Sequence, residues 1–218
     1  MIHHHPDDEL LLARAAGTLD SGTALVVSTH AEFCPQCRER LRGFEALGGA
    51  VLESIEPATL ATDAWARTLA RIDAASPRQV VPKPAARIQA HLPDEQPWPK
   101  ALAGCSISRW RPLGPGRRWA RISVPSDRGA NLFLLRIAAG LAMPWHSHRG
   151  LEVTQVLHGS FEDGRAVFGP GDFDATDPSV RHQPVVLAQG ECVCLAAVQG
   201  RLLFDSAAAR LLGALVGL

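Results

Sequence analysis

The stretch GLAMPWHSHRGLEVTQVLHG, residues 140–159, decides the fold of the larger part of the chain. It contains His146 and His148, two positions apart, and Glu152 after a short turn. Side chains two positions apart on a β-strand point to the same face, so the two imidazoles can converge. Imidazole and carboxylate groups together are suitable ligands for a divalent metal. The stretch therefore predicts a metal site that is built on β-strands.

A third histidine is expected to join this site from a later strand. His182, in the segment DPSVRHQPV, is well placed for that role. The alternative is a metal-free barrel with histidines at its surface. His91 and His158 are expected to be structural or solvated rather than ligands.

The sequence around this stretch predicts an all-β domain that begins at about residue 101. Short runs rich in β-branched and aromatic residues are separated there by Gly, Pro and Asp: RRWARISVP, NLFLLRIAA, LEVTQVLHGSF, GDFDAT, HQPVVLA, ECVCLAAV and RLLFDS. Many short strands at regular spacing indicate a barrel or a sandwich. The final segment RLLGALVGL is expected to form an amphipathic or docking helix.

The first 76 residues have a helical pattern instead. Apolar residues at helical spacing predict four helices, in DDELLLARAAGTLDSG, GTALVVSTHAEF, PQCRERLRGFEALGG and PATLATDAWARTLARIDAAS, the last starting near Pro57. Residues 77–100 follow with six prolines in 24 positions. They predict a semi-extended linker with one short helical piece around residues 85–91.

A second candidate metal site lies in STHAEFCPQC, residues 28–37. His30, Cys34 and Cys37 are spaced i, i+4 and i+7, which places them on one helical face. Two thiolates and an imidazole suit Zn²⁺, which takes four ligands in a structural site. The fourth ligand must come from elsewhere, and His5 at the start of the first helix is the nearest supply.

Other interpretations of this second cluster stay open at the sequence level. The two cysteines could be a redox pair or two unrelated buried thiols, although a thioredoxin-like pair needs a βαβ context that this helical region lacks. His3 and His4 are expected to be solvated, with His4 a weaker competitor of His5.

The remaining cysteines and the composition indicate a cytoplasmic protein. Five cysteines, an odd number, with no signal peptide fit a reducing compartment better than a disulfide scaffold. No run approaches the ~18 to 20 apolar residues that span a bilayer. Cys192 and Cys194 share one side of a strand and are either two small buried hydrophobes or a redox-sensitive pair near the barrel mouth.

The distribution of charge argues against one class of partner. The whole chain has a formal net charge of zero, but residues 1–76 carry six arginines and no lysine against 11 acidic residues, a net charge of −5. Direct DNA binding by this part is disfavoured because phosphate contacts need Lys and Arg. An acidic unit suits a basic protein partner.

Both clusters resemble motifs of known families. Residues 140–159 match the first motif of the cupins, G-x5-H-x-H-x3-E-x6-G, while the usual second motif P-x-G-x-x-H is replaced by Pro178-Ser-Val-Arg-His182. The H-x-x-x-C-x-x-C pattern with an upstream histidine resembles the zinc-binding anti-sigma domains. By that resemblance, zinc ligands fall on His5, His30, Cys34 and Cys37, and the cupin metal, Zn²⁺ or another divalent ion, falls on His146, His148, Glu152 and His182.

Together the two motifs resemble the ChrR-like anti-sigma factors over essentially the whole chain. The resemblance implies an α+β multidomain chain: a four-helix zinc domain (residues 1–76), a Pro-rich linker (77–100) and an all-β jelly-roll cupin with a C-terminal helix (101–218). It also implies binding of an extracytoplasmic-function sigma factor by the first domain. Release would follow sensing by the cupin of an oxidative stress such as singlet oxygen.

Two other functions compete with this one. Three histidines and a glutamate in a cupin also serve dioxygenases and isomerases, but a free-standing metabolic cupin has no need of a zinc helical domain. A zinc-dependent DNA-binding regulator is disfavoured by the charge of −5 on residues 1–76. Neither a catalytic role nor a membrane association is therefore expected.

Overall fold

A computed structural model describes residues 1–75 and 86–206 of the chain. Four α-helices lie in its N-terminal part: α1 (Asp8–Ala16), α2 (Ser21–Phe33), α3 (Pro35–Ser54) and α4 (Ala64–Asp73). Twelve strands follow: β1 (Ser106–Ile107), β2 (Arg111–Pro112), β3 (Arg117–Val124), β4 (Asp127–Ile137), β5 (His146–His148), β6 (Glu152–His158), β7 (Phe161–Glu162), β8 (Val167–Phe168), β9 (Phe173–Thr176), β10 (Val185–Val186), β11 (Cys192–Val198) and β12 (Leu202–Phe204).

The first three helices are bounded by their own side chains and turns. Asp7 and Asp20 cap α1 and α2, each by accepting a hydrogen bond from a backbone N–H in the first turn. Gly17, at φ +70°, ends α1 in the left-handed conformation that glycine adopts without strain. Pro35 begins α3 directly after α2, and proline is well tolerated at the first helical position.

Two predicted helix boundaries differ from those observed. α3 continues through Gly48 and Gly49 to Ser54, whereas the predicted helix ended at these glycines. α4 starts at Ala64 and not near Pro57, because residues 56–61 adopt no helical turn. Each of these differences concerns the length of an element and leaves its type unchanged.

The strands form an antiparallel barrel-like domain. The main sheet has the order β1-β3-β4-β11-β6-β9, with β2 added beside β3. Two small sheets, β10-β7-β8 and β12-β5, complete the domain. The central strand β11 is paired on both sides, with β4 and with β6, and all seven of its residues are buried. A strand buried on both faces reads as an unbroken apolar run, as CVCLAAV does.

Each face of the main sheet is covered by a separate apolar cluster. One face lines the barrel interior, where the buried side chains include Phe133, Val156, Ala196 and Phe204. The other face packs against the helices in a single cluster that joins Val153, Leu157 and Leu195 of the sheet to Leu11, Val26 and Val27 of α1 and α2. The helical part and the strands therefore share a hydrophobic core.

Residues 86–92 of the predicted linker form no helix, and a short 3-10 turn follows at Pro93–Glu95. Gln89 donates a backbone hydrogen bond to the Ile107 carbonyl at 2.9 Å, and Ile107 donates one to the Arg87 carbonyl at 2.8 Å. The helical piece predicted around residues 85–91 is therefore wrong over residues 86–91, because these backbone groups pair with β1 instead. Residue 85 and the predicted C-terminal helix lie outside the described residues.

No single helix in residues 1–75 or 86–206 is long and apolar enough to cross a membrane. α1 and α2 together would reach the required length and composition, but a bend of 112° separates them.

Two candidate metal centres

His5, His30, Cys34 and Cys37 meet in one cluster, hereafter the helical site. His5 lies on the segment before α1, His30 in the last turn of α2, Cys34 between α2 and α3, and Cys37 in the first turn of α3. The junction of α2 and α3 thus brings three side chains together, as the i, i+4, i+7 spacing predicted.

The segment that carries His5 is held by the strand domain. Asp172 accepts backbone hydrogen bonds from His3 and His4 at 2.6 and 3.0 Å, and Phe173 donates to the His4 carbonyl at 3.1 Å. These hydrogen bonds between residues 3–4 and the strand domain hold His5 at the helical site, and the sequence pattern did not reveal them.

The distances in the helical site fit a tetrahedral ion. His5 Nδ1 lies 3.4 Å from His30 Nε2, 3.4 Å from Cys34 Sγ and 3.4 Å from Cys37 Sγ. Four ligands at about 2.0 to 2.3 Å from a central Zn²⁺ are separated by roughly 3.3 to 3.8 Å from one another. The three separations from His5 fall within this range, so the four side chains are candidate ligands of a tetrahedral ion.

Burial controls protonation in the helical site. Burial lowers the pKa of His30 to about 4, so this imidazole is neutral near pH 7, as a metal ligand must be. Burial and the hydrogen bond with Cys34 raise the pKa of Cys37 to about 12. Without a cation the thiol keeps its proton, and binding of a metal would release it.

His146, His148, Glu152 and His182 meet in a second cluster, the barrel site. The first two lie on β5 and Glu152 begins β6. His182 lies outside the named strands, but its backbone exchanges two hydrogen bonds with His146, at 3.0 and 3.1 Å. This bridge brings His182 into the site although the segment Pro178–His182 is shorter than the usual second cupin motif.

The geometry of the barrel site also fits a cation. Glu152 Oε2 lies 3.0 Å from His148 Nε2, 3.6 Å from His182 Nε2 and 3.7 Å from His146 Nε2. This oxygen is buried and has no hydrogen-bond partner among the described residues. His146 donates its Nδ1–H to the Pro144 carbonyl at 2.8 Å, which leaves the Nε2 lone pair free to face the other ligands.

An acidic shell surrounds the barrel site, and sequence analysis missed it. Arg165 donates from Nε to Asp163 at 2.7 Å and from a terminal nitrogen to Asp174 at 2.7 Å. Asp163 Oδ2 lies 3.5 Å from His182 Nδ1. Burial lowers the pKa of His182, but interactions with Asp163 and Glu152 outweigh it and raise the pKa to about 9. Asp163 and Asp174 face Arg165, and together with Glu152 the carboxylates around the barrel site outnumber this arginine, an arrangement that suits a divalent cation.

A cavity of about 50 Å³ opens beside the barrel site. Its walls are mostly apolar and include both Cys192 and Cys194. The two sulfur atoms are 3.6 Å apart, and both thiols are buried. The hydrogen bond with Cys192 and burial hold the pKa of Cys194 well above its ordinary value. The Cys194 thiol is therefore protonated at neutral pH, which makes it a weak nucleophile.

The other histidines lie outside both clusters. His3 is exposed, and His4 packs on Phe168 with ring centroids 4.6 Å apart, so His4 is less solvated than predicted. His91 is exposed, and His158 lies 3.9 Å from Asp94.

Comparisons with known proteins agree with this architecture. A family profile described as the ChrR cupin-like domain matches residues 100–200. The anti-sigma-E factor ChrR of Cereibacter sphaeroides is 40% identical over 209 residues, which cover 94% of this chain and 93% of that protein. A crystal structure of Rhodobacter sphaeroides SigE in complex with the anti-sigma ChrR matches with a TM-score of 0.70 and 36% identity, over 91% of this chain and 100% of that one.

These matches confirm the predicted fold class, a helical unit followed by a cupin domain. The matches to the anti-sigma factor and to the complex structure span nearly the whole chain. The chain belongs to the ChrR family of anti-sigma factors.

Proposed function

We propose that the chain is an anti-sigma factor that binds and inhibits an extracytoplasmic-function sigma factor through its N-terminal helices, and that the cupin domain releases the sigma factor on an oxidative signal. The observation that carries this function is the match, over 91% of the chain, to a protein whose structure is in complex with the sigma factor SigE. A metabolic cupin enzyme is not favoured, because the relative that covers 94% of the chain is a regulator.

An exposed apolar surface on α3 and α4 supplies the docking site. Trp65, Leu69 and Ile72 are 74%, 41% and 63% exposed and share one face of α4, none of whose residues is buried. Leu47 and Val51 of α3 are also more than half exposed. Exposed apolar side chains grouped in this way on a helix mark a protein interaction site. Here the occupant is the sigma factor.

In this proposal Zn²⁺ occupies the helical site and ties His5 to the junction of α2 and α3. The ion is chosen because two thiolates and two imidazoles at tetrahedral spacing match zinc better than harder cations. Since α3 begins inside the site, the ion also fixes the orientation of the helix that presents Leu47 and Val51. Loss of zinc would then loosen the docking surface and weaken binding of the sigma factor.

The barrel site and its cavity form the proposed sensor. The site would hold Zn²⁺ or another divalent ion, since three imidazoles and one carboxylate accept several such metals. The signal is an oxidant such as singlet oxygen, and Cys192 and Cys194 are candidate redox groups because they line the same cavity. The proposal places the protein in the cytoplasm, where the sigma factor meets RNA polymerase.

Co-purification tests this function directly. The full chain is co-expressed with the extracytoplasmic-function sigma factor encoded beside it, and the complex is captured with and without a zinc chelator. We expect the sigma factor to co-purify and the chelator to release most of it. A double variant, Trp65→Ser with Leu69→Ser, should lose the partner, whereas the matched pair Val167→Ser with Leu203→Ser, on exposed positions of the cupin, should retain it. A chain that never captures the sigma factor would refute the proposal.

A further inference from the structure

Strand β6 passes between the two metal centres. Its first residue, Glu152, points into the barrel site, whereas Gln155 points to the opposite face of the sheet, against α2. Alternate residues of a strand face opposite sides, and three residues span about 10 Å. One short strand therefore contributes a side chain to the barrel site and a side chain to the surroundings of the helical site.

Gln155 is bonded to a zinc-type ligand of the helical site. Its Oε1 accepts a hydrogen bond from His30 Nδ1 at 3.0 Å, and both residues are completely buried. Its Nε2 donates to the Val156 carbonyl at 3.2 Å, which fixes the amide with its oxygen toward His30. Because Nδ1 carries the proton, the Nε2 lone pair of His30 is free and lies among the other three ligand atoms.

We propose that Gln155 is a positioning residue of the helical site, supplied by the cupin sheet, and that strand β6 is the route by which the state of the barrel site reaches that site. An outer hydrogen-bond partner of a metal-bound histidine fixes its tautomer and orientation and raises its basicity. The inference rests on the proposed occupancy of the helical site by zinc.

The docking of the helices on the sheet makes this route direct. Asp20 of the α2 cap accepts a hydrogen bond from Gln199 at 2.9 Å. Glu32 at the other end of α2 accepts backbone hydrogen bonds from Lys100 and Ala101. A Cβ added to Gly22 would lie 3.2 Å from Ala197 Cβ, so the helix and β11 are in close contact. A displacement of β6 therefore acts on His30 through Gln155 and does not have to pass through the Pro-rich linker.

Replacement of the acceptor tests the inference on the full chain. Gln155→Leu keeps the approximate volume but removes the acceptor, and Gln155→Glu keeps an acceptor. Gln199→Leu is the matched control, because it breaks a hydrogen bond between the same two parts of the molecule without touching a ligand. Titration with Co²⁺ reports the helical site alone, since the sulfur-to-cobalt absorption needs thiolate ligands and the barrel site has none. Circular dichroism checks that each variant is folded.

We expect Gln155→Leu to weaken cobalt and zinc binding at the helical site by about 10- to 100-fold. Gln155→Glu and Gln199→Leu should stay close to the wild type. Equal binding by Gln155→Leu and the wild type would overturn the inference, and so would equal losses in Gln155→Leu and Gln199→Leu, which indicate a docking role only. If Gln155→Leu does not fold, Gln155→Glu decides, because a loss in that folded variant contradicts the role of the acceptor. A wild-type chain without the sulfur-to-cobalt absorption would remove the zinc proposal itself.

Discussion

At the scale of single residues, the glycines at the two ends of the first cupin motif differ in the space around them. Gly140 and Gly159 have φ values of +71° and +68°, a region that side chains other than glycine rarely adopt. A Cβ on Gly159 would lie 2.0 Å from the Glu191 carbonyl oxygen, whereas a Cβ on Gly140 would meet no atom within 4 Å. Both positions require the left-handed backbone conformation, but only at Gly159 would a Cβ atom also clash with the backbone.

This difference predicts unequal costs for two identical substitutions. Gly140→Ala should lower the free energy of unfolding by about 1 to 2 kcal/mol, the cost of the left-handed conformation. Gly159→Ala adds a clash with backbone atoms of the neighbouring strand and should cost roughly 3 kcal/mol or more. Urea unfolding of both variants of the full chain measures the difference. Similar midpoints for the two variants would contradict the steric argument.

The sequence was informative about the candidate ligands and uninformative about the side chains that contact them. His30, Cys34 and Cys37 were predictable because their spacing is local and belongs to one helix junction. Gln155 and Asp163 were not, since each acts on a histidine that is distant in the sequence, 125 residues away for Gln155 and His30. Such contacts depend on how the sheet is docked, which no local pattern records.

At the scale of elements, α2 depends on its capping residue in two ways. Asp20 accepts hydrogen bonds from the backbone and hydroxyl of Thr23, at 3.0 and 2.6 Å, and also binds Gln199 of the strand domain. Burial opposes ionisation of Asp20, but these hydrogen bonds outweigh it and lower its pKa. The residue is therefore a charged cap and also part of the contact between the helices and the sheet.

We expect Asp20→Ala to lower the free energy of unfolding by about 1 to 2 kcal/mol, the usual cost of losing a helix cap. Asp63→Ala is the matched control, because Asp63 precedes α4 but makes no capping hydrogen bond with its side chain. That variant should stay within about 0.5 kcal/mol of the wild type. Denaturant titration followed by circular dichroism compares the two. An equal effect of both substitutions would refute the capping role of Asp20.

Element types were predicted better than element ends. The long strands β3, β4, β6 and β11 lie within or overlap the apolar runs that predicted them. Two-residue strands such as β1 and β8 are too short to carry an alternating pattern, so no local signal marks them. The ends of α3 and α4 were misplaced, because α3 continues through Gly48 and Gly49 at exposed positions and no helix begins at Pro57.

At the scale of the whole molecule, the helices and the strands share a core. Leu11 and Val26 are fully buried in the same cluster as Val153 and Leu195 of the main sheet. The sequence predicted a helical domain and a cupin joined by a linker, but it contains no signal for the face on which they meet. That face matters for function, because it brings Gln155 of the cupin next to the helical site.

A shared core predicts that the two parts unfold together. Val26→Ala removes two methyl groups from α2 at a fully buried position and should cost about 2 kcal/mol. Val51→Ala is the matched control, since Val51 is 55% exposed on α3. Calorimetry of the metal-loaded full chain should show one transition, which Val26→Ala moves to lower temperature and Val51→Ala leaves in place. Two separate transitions, of which Val26→Ala moves only one, would show that the cupin is stable without the helices, and the route through β6 would then join two independently folding parts.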